Sequence, residues 1–112
     1  MPKFLIEGSY TAEGLRGLAK DKASGRQAAV ASALAALGGK LDSLHYGLGE
    51  NDVYVIVDCP DHVAAAALSL AVSATGMVRT KTIALLTVEE VDRALASKIS
   101  YRAPGKAKAA KA

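Results

Sequence analysis

The sequence predicts an α+β fold, a single antiparallel four-stranded sheet with its main helices on one side. Three observations predict it. Stretches with strand character occupy 2–10, 40–48, 53–59 and 77–86. Stretches with helical spacing separate the first strand from the second and the third from the fourth. The turn Gly47-Leu48-Gly49-Glu50-Asn51-Asp52 is too short for a crossover, so the middle two strands form a hairpin.

In chain order, the first strand alternates Phe4, Ile6, Gly8 and Tyr10 against Lys3, Leu5, Glu7 and Ser9, the period of a pleated strand. Thr11 caps a short helix with Glu13 in its first turn, where the helix dipole favours a carboxylate. Gly14 and Gly17 weaken that helix, and Asp21-Lys22-Ala23 reads as a break. Ser24 is expected to cap a firmer helix from Gly25 to Leu37, with Val30, Ala33, Leu34 and Leu37 on one face. Gly38-Gly39 ends it, because the left-handed backbone there favours glycine. Lys40 to Leu48 and Val53 to Cys59 make the hairpin, and Pro60, lacking a donor, stops the ladder. Asp61 caps a helix from His62 to Thr75 that is apolar nearly all round, a pattern expected of burial on more than one face. Met77 to Leu86 is the fourth strand. Thr87-Val88-Glu89-Glu90 is a capping box opening a last helix to about Ser97. Residues 1–97 are therefore expected to form one domain and 98–112 a disordered tail rich in Lys and Ala.

The order strand, helix, strand, strand, helix, strand is the ferredoxin-like βαββαβ pattern, with spatial order 4-1-3-2 and an extra C-terminal helix. Right-handed crossovers put both main helices on one face. Yet Tyr54 and Ile56 point away from Val53, Val55 and Val57, and Leu5 points away from Phe4 and Ile6. Both faces of the central strands are apolar, and each such side chain gains roughly 1.5–3 kcal/mol on burial. A second copy stacked sheet to sheet, a dimeric α/β barrel, is the expected solution.

Composition sets the bounds. A chain of 112 residues with 51% apolar content holds one core. No leader-like segment or spanning run stands out, and a lone Cys suits a reducing compartment, so a cytoplasmic protein away from the membrane is expected. The net charge of +3 misleads. Of 14 basic residues, five lie from Lys98 onward with no acidic neighbour, leaving nine against 11 acidic groups in residues 1–97, a net of −2. A basic groove for nucleic acid is not expected in the domain.

With these elements placed, the chain resembles the GYD family of small bacterial proteins, within the dimeric α/β-barrel superfamily. The resemblance lies in Tyr10-Thr11-Ala12-Glu13-Gly14, Gly38-Gly39-Lys40-Leu41, Gly49-Glu50-Asn51-Asp52 with its strand, Val78-Arg79-Thr80-Lys81-Thr82, and Leu85-Leu86-Thr87-Val88-Glu89-Glu90. It covers residues 3 to about 97. Asn51 stands where the family's naming motif has its tyrosine. The resemblance implies the fold and a dimer rather than an activity, since the superfamily spans cofactor-free monooxygenases, haem-handling enzymes and ligand-sensing domains.

Six residues are candidates for ligand binding. His45, the one strand histidine, reads either as a proton shuttle or haem ligand at a barrel mouth or as a hydrogen-bonded strand residue. Arg79 and Lys81 share a face of the fourth strand, and Glu7 on the neighbouring strand is placed to pair with either. Facing inward they would suit an anionic or phenolate ligand; facing solvent they are an edge ion pair. Tyr54 and Asp58 share a face of the third strand. Cys59 reads as a small buried apolar group and His62 as a solvent-facing helix residue. Gly47 and Gly49 join two strands and open no helix, so they are no phosphate loop. No catalytic set, metal-ligand spacing or cofactor motif stands out, and no cofactor is expected.

Three functions follow, in order. The first is a non-catalytic dimer or higher oligomer that binds a small ligand or a partner protein. The second is a cofactor-independent oxygenase or isomerase-like enzyme acting on a small aromatic or acidic substrate. There His45 or Tyr54 moves a proton, and Arg79 or Lys81 steadies an oxyanion. The third is a DNA-associated accessory protein acting through the tail.

Overall fold

The fold is known from a computed structural model, which describes residues 1–106. Its elements are β1 (Lys3–Tyr10), α1 (Ala12–Ala36), β2 (Lys40–Tyr46), β3 (Val53–Asp58), α2 (His62–Ala74), β4 (Val78–Leu85) and α3 (Val88–Leu95). The sheet order is β2-β3-β1-β4, with every neighbouring pair antiparallel. This is the expected ferredoxin-like arrangement with one helix added. Of the expected tail, 98–106 is exposed and carries no helix or strand, while Lys108 and Lys111 lie outside the described residues.

The alternation read from the sequence is the alternation of the sheet. Phe4, Ile6, Val53, Val55 and Val57 turn to the helices and are buried with Leu34, Ala64, Ala65, Leu68 and Cys59. Their alternates Leu5, Glu7, Tyr54 and Ile56 are only half-buried, and Ile83 of β4 is 36% exposed. Among the described residues no helix packs on that second face.

Local chemistry fixes the element ends. Thr11 Oγ1 accepts from the Gly14 amide at 3.1 Å, and Asp61 Oδ1 from the Ala64 amide at 2.8 Å. Gly38 closes α1 at φ 77, the left-handed geometry that glycine adopts without strain. Gly39 starts β2 so close to β3 that a Cβ would stand 2.6 Å from the Asp58 carbonyl oxygen.

Three features depart from expectation. The expected break in α1 is a kink at the single residue Lys22 (φ 65, ψ 161), and helix resumes at once. Ser24 therefore sits inside the helix instead of capping it. In β2, Asp42 is bulged out between Leu41, which pairs with Val57, and Ser43, which pairs with Ile56. The extra residue resets the alternation, so Leu41 and Leu44 both face the helices. Finally, α2 is covered on one face only. Ala64, Ala65 and Leu68 are buried, but Val63 and Leu70 are 76% and 70% exposed.

Candidate functional site

All six candidate residues point to the side of the sheet away from the helices. Four form one row across it: His45 opposite Tyr54, Tyr54 opposite Glu7, and Glu7 opposite Lys81. Side chains in such a row stand within reach of one another, about 5 Å apart at Cβ. Arg79 lies one step along, opposite Ser9. The structure therefore brings five of the six together.

Asp58 is the exception. It lies two steps the other way, beyond the apolar row Ile56, Leu5 and Ile83. Its carboxylate accepts from Lys3 Nζ at 2.8 Å, and the same ammonium reaches Asp42 at 3.2 Å. These bonds, the Asp58 one first, raise the Lys3 pKa above the ordinary lysine value. Asp58 is thus committed to a structural cluster and is not gathered with Tyr54 and Arg79.

Glu7 is also engaged, though by neither cation. Asn51 Nδ2 donates to Glu7 Oε2 at 2.6 Å, and Ser9 Oγ donates to Asn51 Oδ1 at 3.1 Å. The hairpin turn thereby folds back over β1. Asp52 pins it further: its amide donates to the Gly8 carbonyl at 2.8 Å and its carboxylate accepts from the Tyr10 amide at 2.8 Å. Arg79 and Lys81 are in no ion pair among the described residues. Tyr54 lays its ring over Gly47, where a Cβ would stand 2.7 Å from the ring.

A second site lies on the helix side, which the sequence reading did not find. A cavity of about 400 Å³ lies between α1, on both sides of its kink, and α2, with apolar walls from Leu18, Ala33, Leu68, Ala71, Val72 and Met77. Tyr10, Asp21 and Arg26 supply polar groups. A smaller space of about 70 Å³ adjoins it through Tyr10, Arg26, Leu68, Val72 and Val78, and reaches Tyr46 over the sheet. Burial, and then the hydrogen bond to Tyr10, push the Tyr46 hydroxyl well above the usual phenol range, with Arg26 acting the other way. Arg26 Nη1 donates to Asp21 Oδ2 at 3.3 Å at the cavity margin.

Local structure explains the opening. A Cβ on Gly14 would stand 2.1 Å from the Met77 carbonyl oxygen, so the start of α1 is seated tightly at the head of β4. The kink at Lys22 then redirects the helix between Asp21 and Arg26. The signals were the Gly14 and Gly17 pair and the break at Asp21-Lys22-Ala23; Tyr10, Arg26 and Tyr46 are too far apart in sequence to suggest a set.

Neither cavity is lined by a histidine. Among the described residues no group of three or more His, Cys, Asp or Glu is placed to hold a metal ion, and no helix is long and apolar enough to cross a membrane. Residues 4–95 match the family model of the GYD domain. The chain belongs to the GYD domain family. No curated protein and no solved structure matches it. In this GYD domain the turn that carries the resemblance has a structural task, with Asp52 holding the end of β1 and Asn51 occupying Glu7.

Proposed function

We propose that this GYD-domain protein is a small-ligand-binding module that works as a two-fold dimer, its ligand held in the helix-side cavity. The observation that carries the reading is the shape and chemistry of that cavity. About 400 Å³ is the size of a small-molecule site. Its walls are apolar, with hydrogen-bonding groups from Tyr10, Asp21 and Arg26, and Tyr46 in the adjoining space. Such a site suits a small, mostly apolar molecule with one anionic or accepting end, which Arg26 takes up in exchange for Asp21. The kink supports the reading, because Lys22 holds a backbone region nearly reserved for glycine and does so at the cavity margin. The dimer rests on the uncovered row Leu5, Ile56 and Ile83.

The test uses the full chain and 1-anilinonaphthalene-8-sulfonate, an apolar ring system with one anionic group. One probe per protomer is expected to bind, Ala71→Trp to abolish binding by filling the space, and Arg26→Ala to weaken it about tenfold through loss of a charged hydrogen bond. Binding that survives Ala71→Trp unchanged sinks the reading.

A second reading, a proton-moving enzyme, is favoured by the row His45, Tyr54, Glu7 and Lys81, which joins an acid–base pair to a cation. Its test is turnover of small aromatic and acidic substrates, lost in His45→Ala and Tyr54→Phe. Equal turnover by the His45→Ala protein excludes that role for His45.

A further inference from the structure

The helix α3 is specified strongly by its own sequence and left with nothing to pack on. Its capping box is complete: the Glu90 amide donates to Thr87 Oγ1 at 3.1 Å and the Thr87 amide donates to Glu90 Oε1 at 2.7 Å. Its apolar residues Val88, Val91 and Leu95 fall at i, i+3 and i+7, one stripe along the helix. That stripe is wetted, with Val88 82% and Leu95 76% exposed, and it continues into Leu86, Ile99 and Tyr101, all exposed. The main packing contacts of the fold join strands to strands and α1 and α2 to strands; α3 takes no part in them. Eight residues are too few for a stable helix in water without tertiary contacts.

The same chain carries a surface that matches. The open sheet face presents Ile83, with Lys81 and Arg79 further along the same side of β4 and no carboxylate paired with either among the described residues. On α3, Asp92 borders the apolar stripe and is in no ion pair among the described residues. Glu89 lies just beyond it, 3.6 Å from Arg93 Nη1 in an exposed pair that a partner's cation can replace, so an acidic flank runs beside an apolar band. Apolar band meets apolar row, and acidic flank meets basic strand. Area argues in the same direction. Four strands of six to eight residues, at ~4.8 Å spacing and ~3.3 Å rise, give a flat face of about 450 Å² before side-chain relief is counted. A stable interface takes roughly 800 Å² from each partner. Stacked sheets alone fall short, and a further element from each copy makes up the difference.

We propose that α3 is an exchanged arm. In the two-fold dimer each copy lays the Val88, Val91 and Leu95 stripe along the β4 margin of the other's open sheet, with Glu89 and Asp92 against the partner's Lys81 and the partner's Arg79. This rests on the dimer reading above and adds to it which element each copy gives away. The occupant is a second copy, because one chain carries both halves and its own α3 does not lie on its own sheet.

The experiment mixes unlabelled and ¹⁵N-labelled full-length chains, lets them exchange, and joins carboxylates to amines with a zero-length carbodiimide. Peptides linking Glu89 or Asp92 to Lys81 are expected as unlabelled–labelled pairs in the proportion random mixing sets. Links found only within one isotope overturn the exchange, as does a dimer in the native mass spectrum that yields no such link. A chain that stays monomeric at micromolar concentration overturns the dimer and the arm together. The two readings also separate by mutation. Ile56→Asp, on the sheet, is expected to abolish the dimer in either case. The double variant Val91→Glu/Leu95→Glu is expected to raise the dimer Kd at least tenfold while probe binding in the cavity stays as in wild type. An unchanged Kd in the double variant overturns the arm alone.

Discussion

Gly14 is the residue whose replacement has the clearest outcome. A Cβ there meets backbone, the Met77 carbonyl 2.1 Å away, and backbone cannot swing aside as a side chain does. Gly14→Ala is expected to destabilise by about 1–3 kcal/mol, the cost of overpacking, read as a lower urea midpoint with unchanged slope. An Ala variant as stable as wild type would show that α1 is not seated as described. Lys22 is the opposite case. Its φ and ψ belong to a region where a Cβ is strained, so Lys22→Gly is expected to raise stability by about 1 kcal/mol. A decrease of that size would mean that the kink is held in place by the lysine side chain. Residues of this kind were partly legible. The sequence shows the break at 21–23 but not that one residue takes up the whole of it, since that depends on where β4 begins beneath the first turn.

At the scale of elements, α3 answers to pH through its cap. Hydrogen bonds from the Thr87 amide and side chain, the former first, hold the Glu90 carboxyl below its usual value. A lowered carboxylate pKa in the folded state gives a contribution present above the ordinary Glu value and lost as pH falls through the lower folded one. Amide protection at Glu90 and Val91, taken relative to the intrinsic exchange rate at each pH, is therefore expected to fall as the solution is acidified below about pH 4.5, the reference region for Glu. Glu90→Gln is expected to remove that pH dependence while keeping most of the cap, because an amide oxygen accepts the same bond. If the Gln variant frays as Glu90→Ala does, charge rather than the hydrogen bond sustains the turn. Lys3 works in the other direction. Its pKa is raised by Asp58 and then Asp42, so its contribution is present below the ordinary lysine value and fades as pH rises through the higher folded one. Strand faces were the best-read feature of the sequence, since alternation in β1 and β3 assigns every residue correctly. β2 was not legible, because nothing local marks the bulge at Asp42, whose carboxylate meets Lys3 Nζ beside Asp58 only once the strands are paired. The character of α2 was read correctly as apolar, yet which of its flanks is wetted, the one with Val63 and Leu70, depends on what the helix is laid against, which no local pattern encodes.

For the whole molecule, the two faces of the sheet carry different weights. The helix face holds the core, while the other holds the apolar row and the row of polar candidates. Replacing Val57, fully buried, by Ala is expected to cost about 2–3 kcal/mol of folding stability through lost burial and the space left behind. Leu5→Ala, on the open face, is expected to cost the isolated chain less than about 1 kcal/mol and to act instead on dimerisation, seen by comparing thermal melts across protein concentrations. Concentration-independent melts for both proteins would count against any stacked assembly. Candidate residues were legible as a face and became a row only through register, the one quantity that alternation does not supply. Tyr10, Arg26 and Tyr46 escaped notice because nothing in a single sequence joins positions 10, 26 and 46 before the helices are laid over the sheet.

Cys59 has a consequence for anyone handling the protein. Its thiol is wholly enclosed where β3 ends, its amide donates to the Pro2 carbonyl at 3.0 Å, and burial pushes its pKa upward, which disfavours the reactive thiolate. The chain thus ships with a single chemical tripwire at the seam between its N-terminus and its central strands. Alkylation of that one sulfur should time the opening of the seam, with no label to install and no second thiol to confuse the count.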